Sequence, residues 1–167
     1  MIVIDVGCAR WGGDYSVERL IEMYHPDVLI GFDPATKVAE AMPRADALLA
    51  AGTQVALRRE AAWIFDGEVG YREDGLNSWI TDDAEAPKVR CVDLARVVEE
   101  MPEGPVILKI DAEGAEFDLL EHLIATGAMA RLTRVLVEWH PVGQGERRRA
   151  IEEGLRRAGV PLEQWRW

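Results

Sequence analysis

Four short apolar runs constrain the fold of this chain most: Ile2 to Val6, Val28 to Phe32, Val106 to Ile110, and Val135 to Val137 with its flanks. Runs of this length without polar alternation suit strands buried on both faces, as in a parallel sheet. A fifth run, Gln54 to Leu57, is weaker. Between the first two, Val17, Leu20, Ile21 and Tyr24 fall at i, i+3, i+4 and i+7, the stripe of an amphipathic helix that Asp14 can cap. Ala35 to Ala51 predicts a second helix, perturbed by Pro43, and Phe117, Leu120, Leu123 and Ile124 mark a third that stops at Gly127. Strands alternating with helices predict an α/β fold with a single doubly wound, mainly parallel sheet and right-handed crossovers. The stretch from Arg58 to Pro105 breaks that rhythm. Its Asp66–Gly67 turn, the run Glu68 to Arg72 and the strand-like Val89 to Val92, ahead of a helix Asp93 can cap, predict a hairpin or edge extension inserted before the fourth core strand.

The acids are placed with a regularity of their own. The first run ends at Asp5, the second at Asp33, the fourth at Asp111 and the last at Glu138. In a doubly wound sheet the ligand crevice lies beyond the carboxyl ends of the strands, so these acids are expected to ring one cleft. With 30 acidic against 19 basic side chains the formal charge is -11, which repels a polyanion and excludes a nucleic-acid backbone as the expected partner. The arginines at 147–149, 156 and 157 are interleaved with Glu146, Glu152 and Glu153 and read as a solvated helix face. At 167 residues and 49% hydrophobic, the chain suits one domain, residues 1–167, with a real core. No run reaches a membrane span and no secretory signal opens the chain, so a cytoplasmic location without membrane attachment is expected. Cys8 and Cys91 match no metal-ligand spacing and are expected as free thiols.

The first run leads into a glycine-containing turn, VIDVGCARWGGDYS at residues 3–16. Gly7 and Gly12 have the spacing of a phosphate-cradling loop, but Gly13 stands where that loop needs its Lys. The G-x-G-x-x-G spacing of a dinucleotide site is absent as well, since Cys8 and Ala9 follow Gly7. A Gly turn after the first strand and an acid after the second suit a nucleoside cofactor, whose ribose hydroxyls Asp33 can accept. S-adenosylmethionine fits best, being cationic at sulfur and free of phosphate.

VIDVG, GDYS, GFDP, KIDAEGAE and VEWHP, in this order and spacing, resemble the FkbM-type family of S-adenosylmethionine-dependent methyltransferases over nearly the whole chain. KIDAEGAEFDLL, residues 109–120, is the most specific part, close to that family's K-I-D-x-E-G-x-E stretch, and VRCVDLARVV resembles the segment the family places ahead of it. Here Gly13 lies two residues further on than in the family's D-V-G-A-N-x-G turn, which brings Arg10 and Trp11 into the loop. The resemblance implies a Rossmann-like class I methyltransferase fold, S-adenosylmethionine as cofactor, and an acceptor drawn from polyketides, saccharides and other natural products. With only Met1 ahead of the first strand, it further implies an acceptor cleft that is open, or closed by a second copy in a homo-oligomer.

By that resemblance Asp5, Gly7 and the adjacent Cys8 shape the cofactor loop, Asp33 takes the ribose, and Glu60 and Ala61 fall where such folds contact the adenine. Transfer of a methyl group to a hydroxyl of a small molecule or glycan needs positioning and a base for the hydroxyl proton. Asp111, Glu113, Glu138 and His140 are the groups available, with His140 and Asp111 the candidates for the base. Glu116 is expected only to favour the start of its helix. Lys109, in a central strand, is expected to pair with Asp5 or another acid of the cleft. Trp63, Phe65, Tyr71 and Trp79 are candidates for an apolar acceptor wall or for hairpin core, and Ser78 can reach either ligand. Two other readings use the same residues. Asp111, Glu113, Glu138 and His140 suit a Mg²⁺ or Mn²⁺ centre for phosphoester hydrolysis, and a non-catalytic cofactor-binding module would keep the fold alone.

Overall fold

The computed structural model describes residues 1–8, 16–35, 52–74, 77–140 and 144–166. The expectations for Asp14, for Arg10, Trp11 and the glycines beside them, and for the helix through Pro43 lie outside these residues. Six strands, β1 (Ile2–Val6), β2 (Val28–Phe32), β3 (Gln54–Arg58), β8 (Val106–Ile110), β9 (Arg134–Val137) and β10 (Leu162–Gln164), form the central sheet. Their order is β10-β9-β8-β1-β2-β3 and every neighbouring pair is parallel. Successive strands are added outward in one sense from β1 through β2 to β3 and in the opposite sense from β8 through β9 to β10, which makes β1 and β8 the switch point where an open α/β sheet leaves a crevice.

Four α-helices cover this sheet among the described residues: α1 (Ser16–Tyr24), α2 (Leu94–Glu99), α3 (Glu116–Thr126) and α4 (Gly145–Ala158). Side-chain alternation sorts β1 between its two faces. Ile2, Ile4 and Val6 join Phe117, Leu120 and Leu123 of α3 in the larger core, while Val3 packs with Val17, Leu20 and Ile21 of α1 in the smaller one. Each of these aliphatic side chains contributes about 2 kcal/mol by leaving water. α3 stops at Gly127, whose φ of 83° is the left-handed conformation glycine adopts without strain. Asp93 caps α2, its Oδ1 accepting from the amides of Ala95 (2.8 Å) and Arg96 (3.4 Å).

The stretch expected to form a hairpin or an edge extension forms a four-stranded sheet of its own, separate from the central sheet. It holds β4 (Ala61–Trp63), β5 (Gly67–Asp74), β6 (Asn77–Thr81) and β7 (Lys88–Asp93), in the order β4-β7-β5-β6. β4 and β7 run parallel, and β5 is antiparallel to both β7 and β6. Tyr71 and Ile80 are register partners on β5 and β6, so the sheet presents both on one face. Among the described residues no helix is long and apolar enough to cross a membrane.

Candidate active site

Backbone hydrogen bonds carry the parallel ladder one residue past each strand, which fixes the strand-end residues in a row. Gly7 N–H donates to Phe32 O (2.9 Å), Asp33 to Arg58 O (3.1 Å), Asp111 to Val6 O (3.0 Å) and Glu138 to Ile110 O (2.9 Å). Beyond that row lies a cavity of about 330 Å³, within the size range of small-molecule sites. Gly7, Asp33, Ala61, Asp111, Glu113, Glu138 and His140, all predicted from the sequence, line it. Tyr71, Ser78 and Ile80 supply its wall from the second sheet.

Three predicted residues are placed elsewhere. Asp5 is fully buried beneath the Gly7 turn, because β1 continues through Val6 and alternation turns Asp5 to the α1 face. There it accepts from Ser16 Oγ at 2.5 Å and pairs with Lys109, its register partner on β8. Cys8 is packed on the same side, where a Cβ on Gly31 would come within 2.8 Å of its sulfur. Burial raises its thiol pKa well above the ordinary value, so it stays protonated. Glu60 sits in the turn between β3 and β4 and pairs with Arg90 at 3.3 Å. Of the four aromatic candidates Tyr71 alone lines the cavity; Trp63 packs against the core, Phe65 is 45% exposed and Trp79 38% exposed.

Gly7 itself is required by geometry. Its φ is 77°, and a Cβ built there would lie 1.7 Å from the carbonyl oxygen of Asp111. The two loops that flank the switch point therefore touch backbone to backbone. Lys109 braces this contact from below, donating to Gly7 O at 2.9 Å with its Nζ 3.0 Å from Asp5 and 3.5 Å from Asp111. Burial alone would lower the Lys109 pKa, but the two carboxylates outweigh it and the pKa is raised, so the ammonium persists as an ion pair.

On the other side of the cavity the turn after β8 holds Glu113 in a left-handed conformation, φ 50°, uncommon for a residue with a side chain. Burial raises the pKa of Glu113, with His140 pulling the other way. His140 Nδ1 lies 2.7 Å from Glu116, and Nε2 lies 3.7 Å from Asp111 and 3.9 Å from Glu113. The Glu116 hydrogen bond, opposed by burial and helped by the surrounding carboxylates, raises the His140 pKa from 6.5 to about 9. That shift favours the imidazolium at neutral pH. Asp111, Glu138 and His140 can bring one donor atom each within 4.8 Å of the others. With Glu113 and Glu116 beside them, these groups form one cluster of charge at the mouth of the strand ends.

Asp33 accepts from the amide of Ala35 at 2.8 Å and is 8% exposed, at the wall of the cavity. No Lys or Arg lines the cavity among the described residues. The described lining, with Asp33, Asp111, Glu113 and Glu138, suits a cationic or neutral ligand.

The family model of the methyltransferase FkbM domain matches residues 13–159, most of the chain. The match starts beyond β1 and Gly7, so the turn at Gly7 stands on its geometry alone. No curated protein and no solved structure matches the chain.

Proposed function

The chain belongs to the FkbM methyltransferase domain family, and from that premise we propose that it is an S-adenosylmethionine-dependent methyltransferase acting on a hydroxyl oxygen of a small molecule or glycan. The observation that carries this reading is the cavity at the carboxyl edge of the parallel sheet, with the Gly7 turn at one side and Asp33 at the end of the neighbouring strand. The residues present fit the cofactor. Asp33 offers a carboxylate for ribose hydroxyls, Phe32, Ala61 and Ala62 give apolar wall, and the acids favour a cationic sulfur. When bound, the cofactor supplies an electrophilic methyl group, whose transfer is an in-line displacement. Neither phosphoester hydrolysis nor a non-catalytic module gains support from the family to which the chain belongs.

The protein's own work is to orient the acceptor and take its proton. With its pKa raised to about 9, His140 is less suited to take that proton at neutral pH. Glu113 is better matched: it faces the cavity, its raised pKa brings it nearer the working range of a general base, and the His140 imidazolium beside it steadies its charged form. Tyr71 and Ser78 flank the opposite wall, where their hydroxyls can bond a polar acceptor.

Two variants test these roles. Asp33→Ala removes the ribose acceptor, and cofactor affinity measured by calorimetry is expected to fall by about 1–3 kcal/mol, roughly 5- to 150-fold. Unchanged affinity would mean the ribose does not meet Asp33. Glu113→Gln keeps the shape and removes the basic oxygen; kcat is expected to fall by about 10²- to 10⁴-fold with cofactor affinity nearly unchanged. Wild-type turnover in this variant would move the base elsewhere.

A further inference from the structure

We propose that Glu116 is a positioning residue of this site, acting through His140: its carboxylate grips the ring at Nδ1 and so aims Nε2 into the cavity between Asp111 and Glu113. The substitution of roles is specific, because Glu116 opens α3 and would do nothing more than favour the helix dipole if it faced water. It does not face water. Glu116 is 0% exposed, and a carboxylate buried to that degree is tolerated only when its oxygens are bonded. Oε1 accepts from the amide of Ala112 at 3.0 Å and lies 2.7 Å from His140 Nδ1, while Oε2 accepts from the amide of Gly114 at 2.9 Å.

Those partners come from two separate segments. Ala112 and Gly114 flank Glu113, so one carboxylate fixes the turn that carries the proposed base in its left-handed conformation. His140 follows β9, so the same carboxylate ties the end of that strand to the turn after β8. The charged groups facing the ring are Glu116 from α3 and Asp111 and Glu113 from the turn. Glu138 lies two residues before it, and Tyr71 faces the same cavity from β5. A carboxylate gripping one ring nitrogen fixes which nitrogen carries the proton when the ring is neutral and favours the charged ring otherwise. The raised pKa of His140 agrees with this arrangement, its largest cause being the Glu116 bond.

What His140 faces in turnover rests on the methyltransferase reading, but the grip itself is measurable without cofactor. The test is nuclear magnetic resonance of the three histidine rings in the full chain, with His140 assigned from His140→Gln. In the wild type the His140 ring is expected to titrate near pH 9, far above the ordinary 6.5, and above its midpoint to carry its proton on Nδ1. In Glu116→Gln the midpoint is expected to fall by more than one unit, while the other two rings titrate unchanged. A wild-type midpoint near 6.5, a neutral ring protonated on Nε2, or an unmoved midpoint in Glu116→Gln would each overturn the proposal. Should Glu116→Gln not fold, the wild-type midpoint and tautomer decide alone. Calorimetry with S-adenosylhomocysteine tests the cofactor reading separately, so failure of one result is not failure of the other.

Discussion

Gly7→Ala is expected to destabilise the fold by about 3–4 kcal/mol, measured by chemical denaturation, and to abolish tight cofactor binding in whatever fraction still folds. Two terms add. A φ of 77° costs an alanine about 1 kcal/mol, and the new Cβ would sit 1.7 Å from a backbone carbonyl that no rotamer change can move. Relieving that contact means parting the Gly7 turn from Asp111, and the cavity is built across this junction. Gly52→Ala is the matched comparison. Its φ is 95° but a Cβ there meets nothing within 4 Å, so only the conformational cost of about 1 kcal/mol remains. Equal, small losses in the two variants would show that the two loops do not pack backbone to backbone.

Lys109→Met is expected to cost a comparable 3–5 kcal/mol, because Asp5 is left as a fully buried charge with Ser16 as its remaining partner. Removing both charges reverses much of this. In Asp5→Asn with Lys109→Met the desolvation of two ions disappears together, and stability is expected to return to within about 1–2 kcal/mol of wild type. The single variant also carries a pH signature. Burial already raises the Asp5 pKa, and losing Lys109 raises it further, so the folded-state value stands above the unfolded one. Protonated Asp5 then favours folding. The variant's deficit is smallest in acid, below the unfolded pKa near 3.8, and grows as pH rises through the raised folded value. A Lys109→Met protein that unfolds with wild-type midpoint at neutral pH would contradict the ion pair.

Much of this architecture was readable from residues alone, for a physical reason. A parallel sheet aligns the carboxyl ends of its strands, so acids written after Phe32, Ile110 and Val137 reach one edge regardless of the loops between them. Position along the chain makes Asp5 the expected fourth of that set, and alternation explains the difference: it precedes the last residue of its strand and faces α1 with Lys109. Cys8 and Glu60 are close in sequence to lining residues but turned to a core and to Arg90, a distinction that spacing does not carry.

Tyr71 and Ile80 meet only through the register of β5 and β6, a pairing no apolar run announces. The aromatics around them illustrate the same limit, since Trp79 lies opposite Arg72 on the pair and points away from the cavity wall that Tyr71 forms. Glu116 carries the sharpest lesson. At the start of a helix an acid is ordinary, and only its complete burial against two amides and an imidazole distinguishes a structural hub from a dipole partner.

The central claim is that the cavity at the switch point holds an adenosyl cofactor, and calorimetric titration of the full chain with S-adenosylmethionine tests it most directly. One site per chain is expected, with affinity in the micromolar range and a negative heat-capacity change from burial of the adenosyl group against Phe32, Ala61 and Ala62. Absence of binding in a folded sample, or binding that Asp33→Ala and Gly7→Ala leave intact, would contradict it.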